Sequence, residues 1–491
     1  MIFLQAANMF SSKLFPAGLL ALLSSSRVTS QWTFANSTGN ATLAPLPFPS
    51  DICAIEAWPT DSPGVPYTAQ LPDSELTELL SEIDPARVEA IIDKLVSFGT
   101  RHTLSNQTDP VRGIGAARNW LLSQYQEFAD ASDGYMTVEL QSYIQPIASR
   151  IDTPTNISNI VATLKGSSTP ERIVVVSGHY DSRVTDVMNR VDDAPGADDD
   201  ASGVAISMEL ARVLAKYRPA STMIFAAVAG EEQGLYGSTY LAQTLANASA
   251  KVVGMWTNDI VGSPVGDDGK NSSDVIRLFS QGIPPTDSAS QAATRRSIGG
   301  ENDSPSRQLA RFTRDVASNE VTGMSIEHIY RADRYLRSGD HVPFLNVGYA
   351  ANRFTEPRED FDHQHQDVRN SNGTQIGDLA EFCDFNYIAR VGRVNGAVMW
   401  SLANGPASPS NVTIDTTQLT NDSTLFWLKA ALAASYEIVW RPTNQPYWTH
   451  VIPVGDVTTA TVKLSKDNVV FGVRSVGANG YRSPAVFPFP R

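Results

Sequence analysis

Gly178-His179-Tyr180-Asp181-Ser182 follows, after a single serine, the apolar run from Ile173 to Val176. A short apolar run of this kind indicates a buried strand, which places His179 at the carboxyl end of that strand. Open α/β sheets bind their ligands in the loops at the carboxyl ends of the strands. This stretch therefore predicts a sheet with a ligand site at one edge, and it predicts His179 as a member of that site.

Acidic residues recur after the next apolar runs, and a pair of histidines comes further on. The groups are Asp198-Asp199-Asp200, Glu231-Glu232, Asp259, and the two histidines His363 and His365. Each group alone also fits a structural role, such as the capping of a helix by the aspartates. Their convergence on one sheet edge favours a metal site, because so many carboxylates repel one another unless cations lie between them. Mixed histidine and carboxylate ligands select zinc or a similar divalent metal.

Between Ile173 and Leu402, apolar runs alternate with amphipathic helices. The predicted strands in this region are 173–177, 222–229, 252–258, 275–280 and 347–353, and two further strands, 136–143 and 159–164, precede it. The predicted helices are 114–128, 201–217, 237–246, 305–317 and 376–402, preceded by a helix that Asp84 caps and Pro85 begins. This alternation predicts a three-layer α/β/α sandwich with a largely parallel mixed sheet.

After Asn404-Gly405-Pro406 the pattern changes to short, aromatic-rich strands separated by turn residues. About 80 residues of such strands suit a small β-sandwich. The order of elements in 406–491 resembles a fibronectin type III module, with a tryptophan early and Tyr481-Arg482-Ser483-Pro484 late. We interpret this module as a binding or packing accessory.

The amino-terminal region predicts a secreted protein. Residues 1–30 have the pattern of a signal peptide, with an apolar core too short to span a membrane. Residues 31–84 are interpreted as a leader or a propeptide. Ten asparagines begin Asn-X-Ser/Thr sequons for N-glycosylation: Asn36, Asn40, Asn106, Asn156, Asn247, Asn271, Asn302, Asn372, Asn411 and Asn421.

The only cysteines, Cys53 and Cys383, could form a disulfide in an oxidising compartment.

The chain has 491 residues, with 38 basic and 52 acidic side chains and a net charge of −14. Nucleic-acid partners require a basic face, so the charge argues against them. No other stretch is apolar enough to cross a bilayer.

Four segments in this order resemble the secreted two-zinc aminopeptidase family, which includes bacterial leucyl aminopeptidases and fungal peptide hydrolases. They are Gly178 to Ser182, Gly196-Ala197-Asp198-Asp199-Asp200-Ala201-Ser202-Gly203, Glu231-Glu232-Gln233-Gly234-Leu235-Tyr236-Gly237-Ser238, and Asn258-Asp259. The resemblance covers about residues 85–405 and implies a zinc peptidase domain there. It also implies peptide or protein substrates and two zinc ions per chain.

The resemblance implies a role for each matching residue. Asp199 would bridge the two zinc ions, His179 and Asp259 would complete one site, and Glu232 with a late histidine the other. Asp181 would bind and orient His179, and Glu231 would be the general base that takes a proton from water. The family pattern His-x-x-x-Asp favours His363, paired with Asp367, over His365. His341 matches another segment near the family's active site, and we assign it a substrate-side or structural role.

Three alternative functions remain on the same scaffold. A carboxypeptidase would use the same metal core, and a glutaminyl cyclase would keep a single zinc ion. A receptor-like protein without metals would lack ligands, whereas His179, Asp259 and the base Glu231 are all present in this sequence.

Overall fold

A computed structural model describes residues 58–491 of the chain. The strands are β1 (Val65–Pro66), β2 (Met136–Gln145), β3 (Thr155–Leu164), β4 (Thr169–His179), β5 (Ser221–Val228), β6 (Lys251–Asn258), β7 (Val275–Ser280), β8 (Ser325–Ile329), β9 (Ala351–Thr355), β10 (Arg369–Ser371), β11 (Thr374–Ile376), β12 (Ser410–Ile414), β13 (Ser423–Leu428), β14 (Ala433–Pro442), β15 (His450–Gly455), β16 (Thr459–Val462), β17 (Val469–Gly477) and β18 (Phe489–Pro490). The helices are α1 (Ser74–Ser81), α2 (Pro85–Val96), α3 (Ile114–Asp130), α4 (Gly203–Leu214), α5 (Glu231–Gly234), α6 (Tyr236–Asn247), α7 (Ala289–Ser297), α8 (Pro305–Ala317), α9 (His341–Asn346) and α10 (Phe385–Asn404).

Eight strands form one mixed sheet in the order β2-β3-β5-β4-β6-β9-β7-β8. The four central strands, β5, β4, β6 and β9, are parallel, and antiparallel strands flank them on both sides. All eight residues of β5 are buried, as expected for a central strand that helices cover on both faces. The predicted mixed, largely parallel sheet is confirmed.

Helices cover both faces of this sheet. Buried residues of α1, α2, α3, α4, α8 and α10 form one core with the sheet, and residues of α6 and α9 form another core. The first core contains Trp256 and Trp400, and the second contains Leu241 and Phe344. The predicted three-layer sandwich is therefore also confirmed.

Helix α2 begins as predicted, because the Asp84 carboxylate accepts the backbone N–H of Ala86 at 2.9 Å. Helix α10 begins later than the predicted residue 376. Ile376 pairs with Arg369 in the β10–β11 hairpin, and Asp384 caps α10 by accepting the N–H of Tyr387. The apolar pattern of this region predicted a longer helix because apolar spacing alone does not show that Asp384 caps the helix.

The carboxyl-terminal residues form a sandwich of two four-stranded sheets, β1-β15-β14-β17 and β16-β13-β12-β18. Its core includes Trp427, Tyr436, Trp440 and Phe471. The predicted β-sandwich is confirmed, and the fibronectin likeness stays a prediction.

Residues 58–84 pack against the rest of the described chain. Val65 pairs with Val451, which adds β1 to the carboxyl-terminal sandwich, and three buried leucines of α1 join the main core. Within the described residues, this segment is therefore an integral part of the fold.

Several predictions concern residues outside the described part of the chain. They are the signal peptide at 1–30, the first part of the proposed leader, the sequons Asn36 and Asn40, and Cys53. Within 58–491, none of the helices combines the length and apolar character that a bilayer crossing needs.

Candidate metal centre

The central strands deliver the predicted ligands to one sheet edge. His179 ends β4, Glu232 lies in α5 just after β5, and Asp259 follows β6. Because β5, β4 and β6 are parallel neighbours, their carboxyl ends lie side by side. Gly178 allows β4 to approach α4 closely, since a Cβ added there would lie 2.4 Å from the backbone of Gly203. Both glycines belong to the motifs that the sequence analysis singled out.

His179, Asp199 and Asp259 form a buried cluster that we name the inner group. Nε2 of His179 lies 3.1 Å from Oδ1 of Asp199 and 3.9 Å from Oδ1 of Asp259. One potential ligand atom from each residue lies within 4.8 Å of the others. The inner group thus brings together three predicted residues in a metal-sized space.

Asp199, Glu232 and His365 form a second cluster that we name the outer group. Nε2 of His365 lies 2.7 Å from Oδ2 of Asp199 and 2.9 Å from Oε1 of Glu232. Asp199 therefore turns one carboxylate oxygen to each group. This is the arrangement that a carboxylate bridging two metal ions requires.

The structure brings His365, and not the favoured His363, into the outer group. The ring of His363 stacks on Phe382 with centroids 3.6 Å apart, and its Nδ1 pairs with Asp360 at 3.2 Å. His365 has a positive φ of 52°, an uncommon backbone conformation outside glycine, and its side chain joins the outer group. The spacing to Asp367 favoured His363, but a sequence pattern does not show which side chains of a loop face the site.

The donor atoms of both groups fit divalent metal ions. Nε2 of His179, Oε1 of Glu232 and Nε2 of His365 are buried, and their short contacts within the two groups lack hydrogen-bond geometry, so within residues 58–491 these atoms have no hydrogen-bond partner. Buried polar atoms are almost always paired, so three unpaired atoms around Asp199 indicate that something else satisfies them. Nitrogen and carboxylate oxygen in this mixture are ligands for zinc.

Charges in the cluster shift the ionisation of its members. Burial disfavours charged His179, but the carboxylates of Asp181 and Asp199 outweigh it and hold the pKa of His179 well above its ordinary value. Burial likewise opposes charge on Asp199, yet the imidazoles of His365 and His179 hold its pKa well below the usual range. Asp199 therefore stays ionised, as a bridging ligand must.

Asp181 supports His179 differently from the expectation. Nδ1 of His179 lies 3.1 Å from the backbone carbonyl oxygen of Asp181 and 3.6 Å from its carboxylate. The carboxylate accepts the hydroxyl of Thr103 at 2.9 Å and the backbone N–H groups of Glu231 and Glu232 at 3.3 and 3.2 Å. Asp181 thus fixes the ring through its main chain and the Glu231–Glu232 turn through its side chain.

Glu231 lies beside the inner group and is partly exposed. Enclosure of its carboxyl by protein and the like charges of Asp259 and Asp340 raise the pKa of Glu231 well above its usual value, against the influence of His179. A carboxylate with a raised pKa is a stronger base than an ordinary one and is therefore suited to accept a proton and return it. Metal ions in the cluster would add positive charge and oppose this shift.

Two supporting residues were missed by the sequence analysis. Asp378 accepts the backbone N–H groups of Asp198 and Asp199 at 2.7 and 2.9 Å. Arg101 is buried and donates hydrogen bonds to the carbonyl groups of Tyr180 and Gly196 at 2.7 and 2.8 Å. Neither residue lies near a recognisable motif, and the contacts span 79 to 180 residues of chain.

Two arginines contact the carboxylate ligands. Arg353 is buried and lies 2.9 Å from Oδ1 of Asp259 and 3.4 Å from Asp333. Arg183 donates to Oε2 of Glu232 at 2.9 Å. Arg183 leaves Oε1 of Glu232 to face His365, whereas Arg353 contacts the same oxygen of Asp259, Oδ1, that faces His179.

Three of the four remaining histidines, His102, His328 and His341, illustrate structural contacts. His341 is buried and its Nε2 faces the carbonyl oxygen of Ala332 at 2.7 Å, which supports the structural alternative for this residue. His102 faces the carbonyl oxygen of Val187, and His328 stacks on Tyr330. None of these three belongs to the inner or outer group.

The chain is similar to known proteins over most of its length. Residues 159–383 match peptidase family M28. A probable zinc metalloprotease of Pyricularia oryzae is 57% identical over 465 residues, which cover 91% of this chain and 93% of the relative. A probable zinc metalloprotease of Leptosphaeria maculans is 58% identical over 429 residues, which cover 87% of this chain and 100% of the relative.

Solved structures with a similar backbone fold include bacterial proteins. LapB from Legionella pneumophila is 19% identical, with a TM-score of 0.49 over 69% of this chain and 78% of the other. The Porphyromonas gingivalis glutaminyl cyclase is 18% identical, with a TM-score of 0.43 over 64% of this chain and 97% of the other.

The sequence relatives and the ligand groups together define a zinc metalloprotease, a hydrolase with peptide or protein substrates. The chain belongs to peptidase family M28.

Proposed function

We propose that this metalloprotease is a secreted aminopeptidase that uses two zinc ions to remove N-terminal residues from peptides. The observation that supports two ions is the position of Asp199, which turns one oxygen to the inner group and one to the outer group. We assign His179 and Asp259 to one ion and Glu232 and His365 to the other. This replaces His363 by His365 and retains the other predicted ligands.

Zinc ions in these groups would lower the pKa of the attacking water and stabilise negative charge on the carbonyl oxygen. In this proposal, Glu231 takes the proton of the attacking water and passes it to the departing amine. Asp181 holds the backbone of Glu231 and Glu232, so the base and a ligand keep a fixed relation. Arg353 orients Asp259 by binding Oδ1 of its carboxylate and its backbone carbonyl oxygen.

The first experiment measures zinc by elemental analysis and follows hydrolysis of leucyl-p-nitroanilide before and after chelation. We expect about two zinc ions per chain and activity that chelation abolishes and zinc restores. The matched substrate N-acetyl-leucyl-p-nitroanilide, which lacks a free amine, should not be cleaved. Its cleavage at an equal rate would contradict an aminopeptidase.

Two further substrates separate the alternatives. An N-acetylated peptide with a free carboxyl end loses its last residue only to a carboxypeptidase. A peptide that begins with glutamine releases ammonia without chain cleavage if the protein is a glutaminyl cyclase. One zinc ion with ammonia release would replace the aminopeptidase proposal by the cyclase.

Secretion is part of the proposal and rests on the signal-peptide pattern and the sequons. Of the ten sequon asparagines, two lie outside the described residues, and seven of the remaining eight are exposed, Asn156 being half-buried. Protein collected from culture medium should begin near residue 31 or later and should lose mass on treatment with an N-glycosidase. Retention in the cells with an intact residue 1 would contradict secretion.

A further inference from the structure

The guanidinium of Arg183 contacts two residues of the outer group at once. Its Nε donates to Oε2 of Glu232 at 2.9 Å, and its Nη2 lies 2.5 Å from Nδ1 of His365. Its remaining nitrogen, Nη1, donates to the carbonyl oxygen of Val184 at 3.2 Å. Arg183 follows the segment that carries His179, so one stretch of chain supplies an inner ligand and a partner of the outer ligands.

The contact between Arg183 and His365 conflicts with metal binding by this histidine. A histidine that binds a metal through Nε2 carries its proton on Nδ1 and gives that N–H to an acceptor. Arginine has five N–H donors and no acceptor, so it cannot receive a proton from Nδ1. In the observed geometry, Arg183 and a metal ion are therefore alternative partners of His365.

The charge of Arg183 is directed at the outer group alone. Among the ion pairs of residues 58–491, its carboxylate partner is Glu232 and no other. Arg353, which binds Asp259 of the inner group, divides its charge between Asp259 and Asp333. Arg183 therefore offsets more of the negative charge of the outer group than Arg353 offsets in the inner group.

The two groups also differ in their access to solvent. The side chains of His365 and Arg183 are 24% and 18% exposed, whereas those of His179 and Asp259 are 1% and 4% exposed. An ion in the outer group can therefore exchange with solution more readily than an ion in the inner group.

We infer that Arg183 is a positioning residue that makes the outer group the weaker, exchangeable zinc position, because it competes with zinc for His365 and offsets part of the charge of Glu232. The inference rests on the proposed two-zinc centre. Without an ion, Arg183 holds Glu232 and His365 together; with an ion, it releases His365 and keeps its hydrogen bond to Glu232.

The test titrates the metal-free full chain with Zn²⁺ against a chromophoric chelator of known affinity. The wild type should show one tight and one weaker site. Arg183→Met keeps an unbranched stem and removes the charge and the donors, so it should tighten the weaker site about tenfold or more and leave the tight site unchanged. Arg183→Lys keeps the charge but contacts one ligand at a time, so its weaker site should lie between the two.

Arg150→Met is the matched control. Arg150 donates to the backbone carbonyl oxygen of Glu232 at 2.9 Å, so its removal deletes a charge near the outer group without freeing a ligand atom. Both zinc affinities should remain those of the wild type.

The outcomes separate this inference from the proposed function. Two zinc ions in the wild type with an unchanged or weaker outer site in Arg183→Met would overturn the inference and leave the two-zinc function standing. Fewer than two zinc ions in the wild type would overturn both. If Arg183→Met does not fold, Arg183→Lys decides, and an outer-site affinity equal to or below that of the wild type overturns the inference.

Discussion

Asp378 accepts the backbone N–H of Asp199 in a 2.9 Å hydrogen bond, and its second carboxylate oxygen accepts the N–H of Asp198 at 2.7 Å. The residue that is shared by both ligand groups is thus held by a carboxylate about 180 residues further along the chain. Asp378 is buried, and burial together with the charge of Asp199 raises its pKa to about 7.

We predict that Asp378→Asn weakens zinc binding by about 10- to 100-fold, as is usual for residues that orient metal ligands. Asparagine has a single acceptor oxygen, so one of the two N–H groups loses its partner, which costs about 1–3 kcal/mol of unfolding free energy. Zinc titration and denaturant unfolding measure the two effects. Asp367→Asn is the control at an exposed aspartate, and an equal loss there would contradict the assignment.

The two late histidines give a matched pair of variants. His365→Ala should remove the outer zinc and lower kcat/KM strongly, because Asp199 and Glu232 alone cannot complete that position. His363→Ala should retain about two zinc ions and most activity, because its ring contacts Phe382 and Asp360. Elemental analysis of both variants decides the matter. Loss of zinc in His363→Ala with retention in His365→Ala would restore the assignment favoured by sequence spacing.

Glu231→Gln should retain both zinc ions and lose activity by about 10²- to 10⁴-fold, because an amide cannot accept the proton of water. The loss should appear in kcat, while the substrate KM changes little. Glu320→Gln, at an exposed position, is the control. Near-normal turnover of Glu231→Gln would exclude this residue as the base.

Helix α1 should contribute directly to the stability of the protein. Leu79 is 0% exposed and lies in the main core, so Leu79→Ala should lower the unfolding free energy by about 2–5 kcal/mol. Leu71 is 70% exposed, and Leu71→Ala should change it by no more than about 0.5 kcal/mol. Denaturant unfolding of both variants checks the expectation. Equal stability of the Leu79 variant and the wild type would support a leader that separates from the domain.

The strands and helices were predictable where the apolar pattern is regular. Strand β5 and helix α8 were predicted within one or two residues, since one is a continuous apolar run and the other begins with a serine cap and a proline. Strand β8 and helix α9 were not predicted, because each has only five or six residues and its hydrophobic positions are too few to define a period.

Three ligands, His179, Glu232 and Asp259, were predictable because each lies at or just beyond the end of an apolar strand. The parallel pairing of the central strands carries those ends to one edge. Asp199 lies 20 residues after His179, and it was predicted from the motif Gly196 to Gly203 and its resemblance to the two-zinc family. The local apolar pattern and the order of the strands along the chain are properties of the sequence itself, so both could be used for prediction.

The tertiary structure decided which late histidine enters the site and which residues support it. His365 reaches the outer group through a left-handed backbone turn in an irregular loop, and no periodicity of the sequence encodes that turn. Asp378 and Arg183 act through hydrogen bonds to residues about 180 and about 50 positions away. Such contacts depend on the packing of distant segments, so the sequence determined the chemistry of the site and only the fold determined its final members.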